Sequence, residues 1–197
     1  MTSIASLNNQ IYKCTKCPDC VKTRMYAMPG FIGQSDIRLA IIGQNPGLPQ
    51  RGEKERLINL NNDYETHYSI GLKNCLVGTF INHVCETLNI GWKNIFFSNI
   101  IKCATPQCRM PSEVEVGNCI GYLRQQLQII QPKCVLFLGQ FPGLILNDKY
   151  KVFTYYIQID NHQDVKYINI YHPTYIRRIG DKLLCRTLGF IKKAYNL

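Results

Sequence analysis

No run of apolar residues in the 197-residue chain approaches the roughly 18 that a membrane-spanning helix requires. A transmembrane helix is therefore excluded. The opening stretch, Met1 to Gln10, is polar and lacks the apolar centre of a secretory signal. A cytoplasmic protein with no membrane partner is expected. Internal repeats and low-complexity tracts are also missing, which argues against solenoids and linkers. The chain has no phosphate-cradling glycine loop and no Ser–His–Asp order, which disfavours nucleotide hydrolysis and serine-hydrolase chemistry. Acidic residues are scarce: 13 Asp and Glu stand against 23 Lys and Arg, a formal net charge of +10. The excess gathers late, at Lys166, Arg177, Arg178, Lys182, Arg186, Lys192 and Lys193. Such a surface attracts polyanions, nucleic acid foremost.

What is present fits one globular domain over residues 1–197, expected as a monomer, with an ordinary apolar fraction of 46%. Ten cysteines are many for a compartment where disulfides are disfavoured, so metal or cluster ligation is the stronger reading of the spaced ones. Cys85, Cys134 and Cys185 read as core filler. Cys14 and Cys17 form a C-x-x-C pair that is weak alone. Cys103 and Cys119, sixteen positions apart, add two thiols from a distant segment. Four such thiols suit a tetrahedral soft metal, zinc included, or an iron–sulfur cluster. Cys20 and Cys108 lie near this set and leave the exact ligands open.

The hydrophobic pattern predicts a helix over 3–12, a cysteine-bearing loop over 14–24 and a Met-Pro-Gly-Phe turn. Strands are expected at Arg38–Ile42, Ile95–Asn99, Cys134–Leu138 and Tyr167–Tyr171. Helices are expected at Val77–Leu88, from Ser112 to about Gln131, at Phe141–Leu146 and at Asp181–Tyr195. Ser112 with Glu115 matches a capping box. A small hairpin over 151–164 is the remaining β signal, and residues 48–74 read as a long polar loop. Near-continuous apolar strands alternating with helices imply an α/β fold: a three-layer α/β/α sandwich on a mostly parallel, four-stranded sheet.

Ligands of such sheets collect beyond the carboxyl ends of the strands. There the chain carries Gln44 and Asn45, then Asn99, then His172, with no obvious carboxylate among them. An asparagine amide offers a donor beside an acceptor, which matches the O4 and N3–H edge of uracil. A histidine opposite can donate toward O2, where negative charge collects as an N-glycosidic bond breaks. Asn45 suits positioning of a water rather than proton abstraction, because an amide is a feeble base.

These residues carry a resemblance. The chain resembles the iron–sulfur (family 4) branch of the uracil-DNA glycosylase superfamily over roughly residues 11–180. The matching segments are Gly43-Gln44-Asn45-Pro46-Gly47, Leu76-Val77-Gly78, Ser98-Asn99-Ile100-Ile101-Lys102-Cys103, Cys119, and His172-Pro173-Thr174-Tyr175-Ile176-Arg177. The resemblance implies a DNA-binding enzyme that flips a base out of the stack and hydrolyses its glycosidic bond, with a four-iron, four-sulfur cluster on Cys14, Cys17, Cys103 and Cys119. It implies that Asn99 reads the base with Leu76 and Gln44, that His172 stabilises the leaving base, and that Tyr175 or Ile176 wedges into the duplex. Arg177 and Arg178 would hold phosphates. The chain departs from the family at Gln44, where glutamate is usual, and at Leu76, where an aromatic stacks on uracil; Asn45-Pro46-Gly47 is like the mismatch-specific branch. Tyr64 or Tyr68 could supply stacking instead, and a covalent role for His67 is not matched by its local sequence. A bulkier modified pyrimidine, or a non-catalytic iron–sulfur DNA-binding module, are the alternatives these departures leave.

Overall fold

The protein is described by a computed structural model over residues 3–23, 27–34, 36–47, 72, 75–146, 151–160 and 163–196. Tyr64, His67, Tyr68 and most of the 48–74 loop lie outside the described residues. Among the described residues the strands are β1 (Phe31–Ile32), β2 (Leu39–Gly43), β3 (Ile95–Asn99), β4 (Cys134–Leu138), β5 (Thr154–Asp160) and β6 (Gln163–Ile170). The helices are α1 (Ile4–Tyr12), α2 (Pro18–Thr23), α3 (Leu76–Leu88), α4 (Glu113–Ile130), α5 (Gln140–Leu146), α6 (Pro173–Ile179) and α7 (Asp181–Asn196).

The strands form one sheet in the order β1-β3-β2-β4-β6-β5. Its middle four, β3, β2, β4 and β6, are parallel. They are the four expected strands. Every residue of β2, β3 and β4 is buried, as continuous apolar strands covered on both faces must be. Alternate residues feed two separate cores. Leu39, Ile41, Ile95, Phe97, Leu136 and Ile168 pack with Phe80, Ile81 and Val84 of α3, Ile176 of α6 and Ile191 of α7. Ala40, Ile42, Phe96, Val135 and Phe137 pack with Cys119, Leu123 and Leu127 of α4. The α/β/α sandwich follows from this period of two.

The sheet is wider than expected, because each edge carries an antiparallel strand. β1 is only two residues long and hides in the Met-Pro-Gly-Phe turn. β5 and β6 are the hairpin signalled over 151–164, with its tip outside the described residues. The 14–24 segment is not wholly loop: Pro18 opens the short helix α2, because a first-turn proline gives up an N–H that has no helical partner anyway. The capping box forms as expected. Ser112 Oγ accepts from the Glu115 N–H at 3.3 Å, and Glu115 Oε2 accepts from the Ser112 N–H at 2.7 Å.

Candidate active site

The register of β2 on β3 sets Gly43 directly opposite Asn99. The ladder runs on past both strands: the Ile100 N–H donates to Gly43 O at 3.0 Å and the Ile101 N–H to Gln44 O at 2.9 Å. The Gln44-Asn45 turn is thereby pinned beside Asn99. Asn99 is 4% exposed, and its Oδ1 occupies the space a side chain at 43 would need, since a Cβ there would lie 2.4 Å from it. Gln44 Nε2 donates to Asn45 Oδ1 at 3.0 Å, and Asn45 Nδ2 donates to Pro46 O at 2.9 Å. These two bonds fix the Asn45 amide and leave its Oδ1 a second lone pair.

His172 follows β6 and caps α6, its Nδ1 accepting from the Thr174 N–H at 3.2 Å. That bond assigns the proton of the neutral ring to Nε2. Burial holds the imidazole below its usual pKa, so the neutral donor form is favoured. Gly139, just past β4, lies against it: φ is +92°, and a Cβ there would meet His172 Cβ at 3.2 Å. With β2 and β4 between β3 and β6, the strand ends carrying Asn99 and His172 stand about 14 Å apart.

Leu76 opens α3 and shares a groove of about 450 Å³ with Pro173, Ile176 and Arg177. Tyr175 is 37% exposed, packs its ring tilted against Tyr171 with centroids 4.7 Å apart, and carries the Arg178 guanidinium 5.0 Å above its ring. Ile176 is different: at 2% exposure it belongs to the core between α6, α3 and α7, which leaves Tyr175 as the exposed member of the pair. The helical period turns it inward one position after Tyr175 turns outward. Arg177 and Arg178 are exposed.

Cys103, which follows β3, meets thiols of the N-terminal segment. Cys20 and Cys103 are buried with Leu7, Ile11 and Ala27, and Cys17 and Tyr122 pack against them. Asn118 Nδ2 lies 3.5 Å from Cys17 Sγ, Tyr122 bonds Cys14, and the Lys102 N–H donates to Cys119. Cys119 lies close enough to Cys103 and Cys17 for their charges to raise its pKa, though burial is the larger cause. Cys20 stands apart in its bonding: its S–H donates to Glu115 Oε1 at 3.1 Å, and burial pushes the thiol up to about 12. Glu115 is held in turn by two bonds from Arg109, at 2.7 and 2.8 Å, which with the Ser112 N–H bring its carboxyl down to about 2. Cys108 is exposed. Among the described residues no three His, Cys, Asp or Glu side chains are arranged as ligands of a single metal ion.

Sequence reasoning missed Lys102. Its side chain is buried to 1% exposure, and its Nζ donates to Ser98 Oγ (2.6 Å), Asn99 O (2.9 Å) and Gln126 Oε1 (2.8 Å). Burial pulls its pKa down to about 7. The available signal was its place in an apolar run, between Ile101 and Cys103.

The fold and its rim define an α/β/α sandwich that presents two neighbouring amide groups and an imidazole at the carboxyl ends of parallel strands. The family model for the uracil DNA glycosylase superfamily matches residues 29–196, and the chain belongs to that superfamily. It is 24% identical over 182 residues to the type-4 uracil-DNA glycosylase of Archaeoglobus fulgidus, covering 88% of this chain and 82% of that one. It is 30% identical over 140 residues to the type-4 enzyme of Saccharolobus solfataricus, covering 71% of this chain and 57% of that one. With the type-4 uracil-DNA glycosylase of Thermotoga maritima it shares 26% identity over 198 residues, 95% and 94% of the two chains. No helix among the described residues is long and apolar enough to cross a membrane.

Proposed function

We propose that this protein is a monofunctional DNA glycosylase of the type-4 kind, which flips uracil or a related pyrimidine out of DNA and hydrolyses its N-glycosidic bond to leave an abasic site. The observation that carries this reading is the β2–β3 register, in which Gly43 yields its side-chain space to the Asn99 amide and sets Asn45 beside it. A span of about 14 Å between the strand ends of Asn99 and His172 admits one planar base with a hydrogen bond at each edge. Asn99 reads the O4 and N3–H edge, and Leu76 and Gln44 bound the pocket. Asn45 Oδ1 accepts a hydrogen bond from the attacking water and orients it at C1′. As water adds to C1′, the bond to N1 breaks, its electron pair passes to the base, and the proton that the water gives up leaves to solvent. His172 Nε2–H donates to O2, where that charge collects. Tyr175 is the wedge and Arg177 and Arg178 hold phosphates.

Cys14, Cys17, Cys103 and Cys119 would hold a four-iron, four-sulfur cluster, which when bound ties the N-terminal segment to the chain after β3 and to α4. Support comes from Cys17 and Cys103 sharing one small core, from the closeness of Cys119 to both, and from the type-4 names of the relatives. A cubane holds its thiolates farther apart than one ion does, so thiols that miss a single-ion arrangement still suit it. Cys20 is left out because its S–H is committed to Glu115.

Incubation of iron-loaded protein with a uracil-bearing oligonucleotide, followed by alkali, should cut the strand at the uracil. Intact, iron-loaded protein that leaves uracil untouched refutes the reading. Leu76, where a flat ring is expected, favours a second substrate class of bulkier modified pyrimidines. A panel of modified bases on the same protein decides between them, and preference for plain uracil eliminates the bulkier class.

A further inference from the structure

A lysine buried to 1% exposure inside an apolar layer must find acceptors for three N–H donors. Lys102 finds all three, and they sit at informative places. Two belong to the end of β3: Ser98 Oγ and the carbonyl of Asn99 itself. The third, Gln126 Oε1, is on α4, two turns after Cys119. The network then spreads. Gln126 Nε2 donates to Asn8 Oδ1 of α1 at 3.2 Å and to Pro29 O at 3.0 Å, and Ser98 Oγ donates to Pro29 O at 2.6 Å. Asn8 lies on the helix that leads into Cys14, and Lys102 is followed at once by Cys103. One ammonium thus joins the segment bearing Asn99 to every segment bearing a proposed cluster thiol.

The Asn99 amide is confined from in front by Gly43. From behind, its backbone is held by Lys102. We propose that Lys102 is a positioning residue, which keeps the Asn99 amide in its base-reading orientation by clamping the end of β3 to α4, and so passes the order of the thiol-bearing segments to the base pocket. This rests on the reading of Asn99 given under Proposed function.

The test is a double-mutant cycle in the full-length, iron-loaded protein. Lys102→Met keeps the length of the chain and removes the ammonium. Single-turnover excision of uracil should fall at least about tenfold, with iron per chain unchanged. In an Asn99→Ala background the same change should cost less than about twofold, because the group being positioned is gone. A purely structural lysine would cost the same factor in both backgrounds, and that result overturns the proposal. So does a loss below about threefold beside an intact Asn99. Should Lys102→Met fail to fold, Ser98→Ala carries the test. It removes one of the three acceptors of Lys102, together with the bond from Ser98 Oγ to Pro29 O, and should cost about threefold with Asn99 present and nothing without it; equal losses refute the clamp. A parent protein inactive on uracil refutes the functional reading itself, a result distinct from an active parent with additive losses.

Discussion

Gly43→Ala isolates the contact on which the proposed pocket depends. Gly43 has an ordinary extended φ, so alanine meets no backbone obstacle. The difficulty is the Asn99 amide. The new Cβ would lie 2.4 Å from Oδ1, whereas ordinary contacts begin at 3.4 Å, so the amide must move by about 1 Å. Asn99 is 4% exposed and its carbonyl is held by Lys102, so it cannot swing into solvent. Overpacking of this kind costs roughly 1–3 kcal/mol, which a domain of ordinary stability survives. A reacting or recognising group displaced by about 1 Å loses on the order of 10²-fold in rate. The expectation is therefore a folded protein with uracil excision down about a hundredfold. Gly189→Ala on α7 is the control. A Cβ there meets nothing within 4 Å, and the helix should gain up to about 1 kcal/mol with no change in activity. Denaturant melts measure the first quantity and single-turnover strand cleavage the second. A Gly43→Ala protein that excises uracil within threefold of the parent would show that the Asn99 amide does not read the base from this position.

Three further expectations follow from the same geometry. His172→Ala should cost about 10²–10³ in rate through the lost donor and roughly 1 kcal/mol through the lost cap of α6, while His172→Asn should recover stability and not rate, because it can cap without reaching the base; chemical melts beside excision rates separate the two. Glu115, held near pH 2 against 4.5 when unpaired, stabilises the fold fully above about pH 4.5, and this contribution is lost as pH falls from 4.5 toward 2. Because the Arg109 side chain is 41% exposed the effect is set at about 1–2 kcal/mol, so the stability gap between the parent and Glu115→Gln should close over that window in urea melts; a gap independent of pH would refute it. Serine at Cys14, Cys17, Cys103 or Cys119 should lower iron per chain in anaerobic preparations, whereas serine at Cys20 or Cys108 should not; iron loss in Cys20→Ser would bring that thiol into the ligand set.

The parallel strands were legible because a strand covered on both faces is mostly apolar, and the short apolar runs Leu39–Ile42, Ile95–Phe97 and Cys134–Leu138, each stopped by a glycine or a polar residue, are hard to read otherwise. The edges were not. Two residues of β1 leave no period to detect, and α6, seven residues between His172 and Gly180, is too short to show a helical period clearly. The choice between Tyr175 and Ile176 stayed open for the same reason: without the helix there is no means to tell which of two adjacent side chains turns inward.

The polar groups of the rim could be found in the sequence, since each interrupts an apolar run at its carboxyl end. What holds them there could not. Gly43 matters through its register against a residue 56 positions later, and a glycine after a strand looks like any turn glycine. Lys102 was the more hidden, because a lysine is ordinarily assigned to the surface. Its burial depends on three acceptors that only the folded chain assembles, one of them 24 positions away on α4. A site of this kind has two layers with different visibility. The groups that touch a substrate are conspicuous because they break the hydrophobic pattern. The groups that aim them are buried and satisfied within the fold, and local sequence carries little trace of them. If Lys102 aims Asn99 as proposed, the aiming layer contains the residues that join Asn99 to the thiols, so chemistry at the rim and order at the N-terminal segment are expected to rise and fall together.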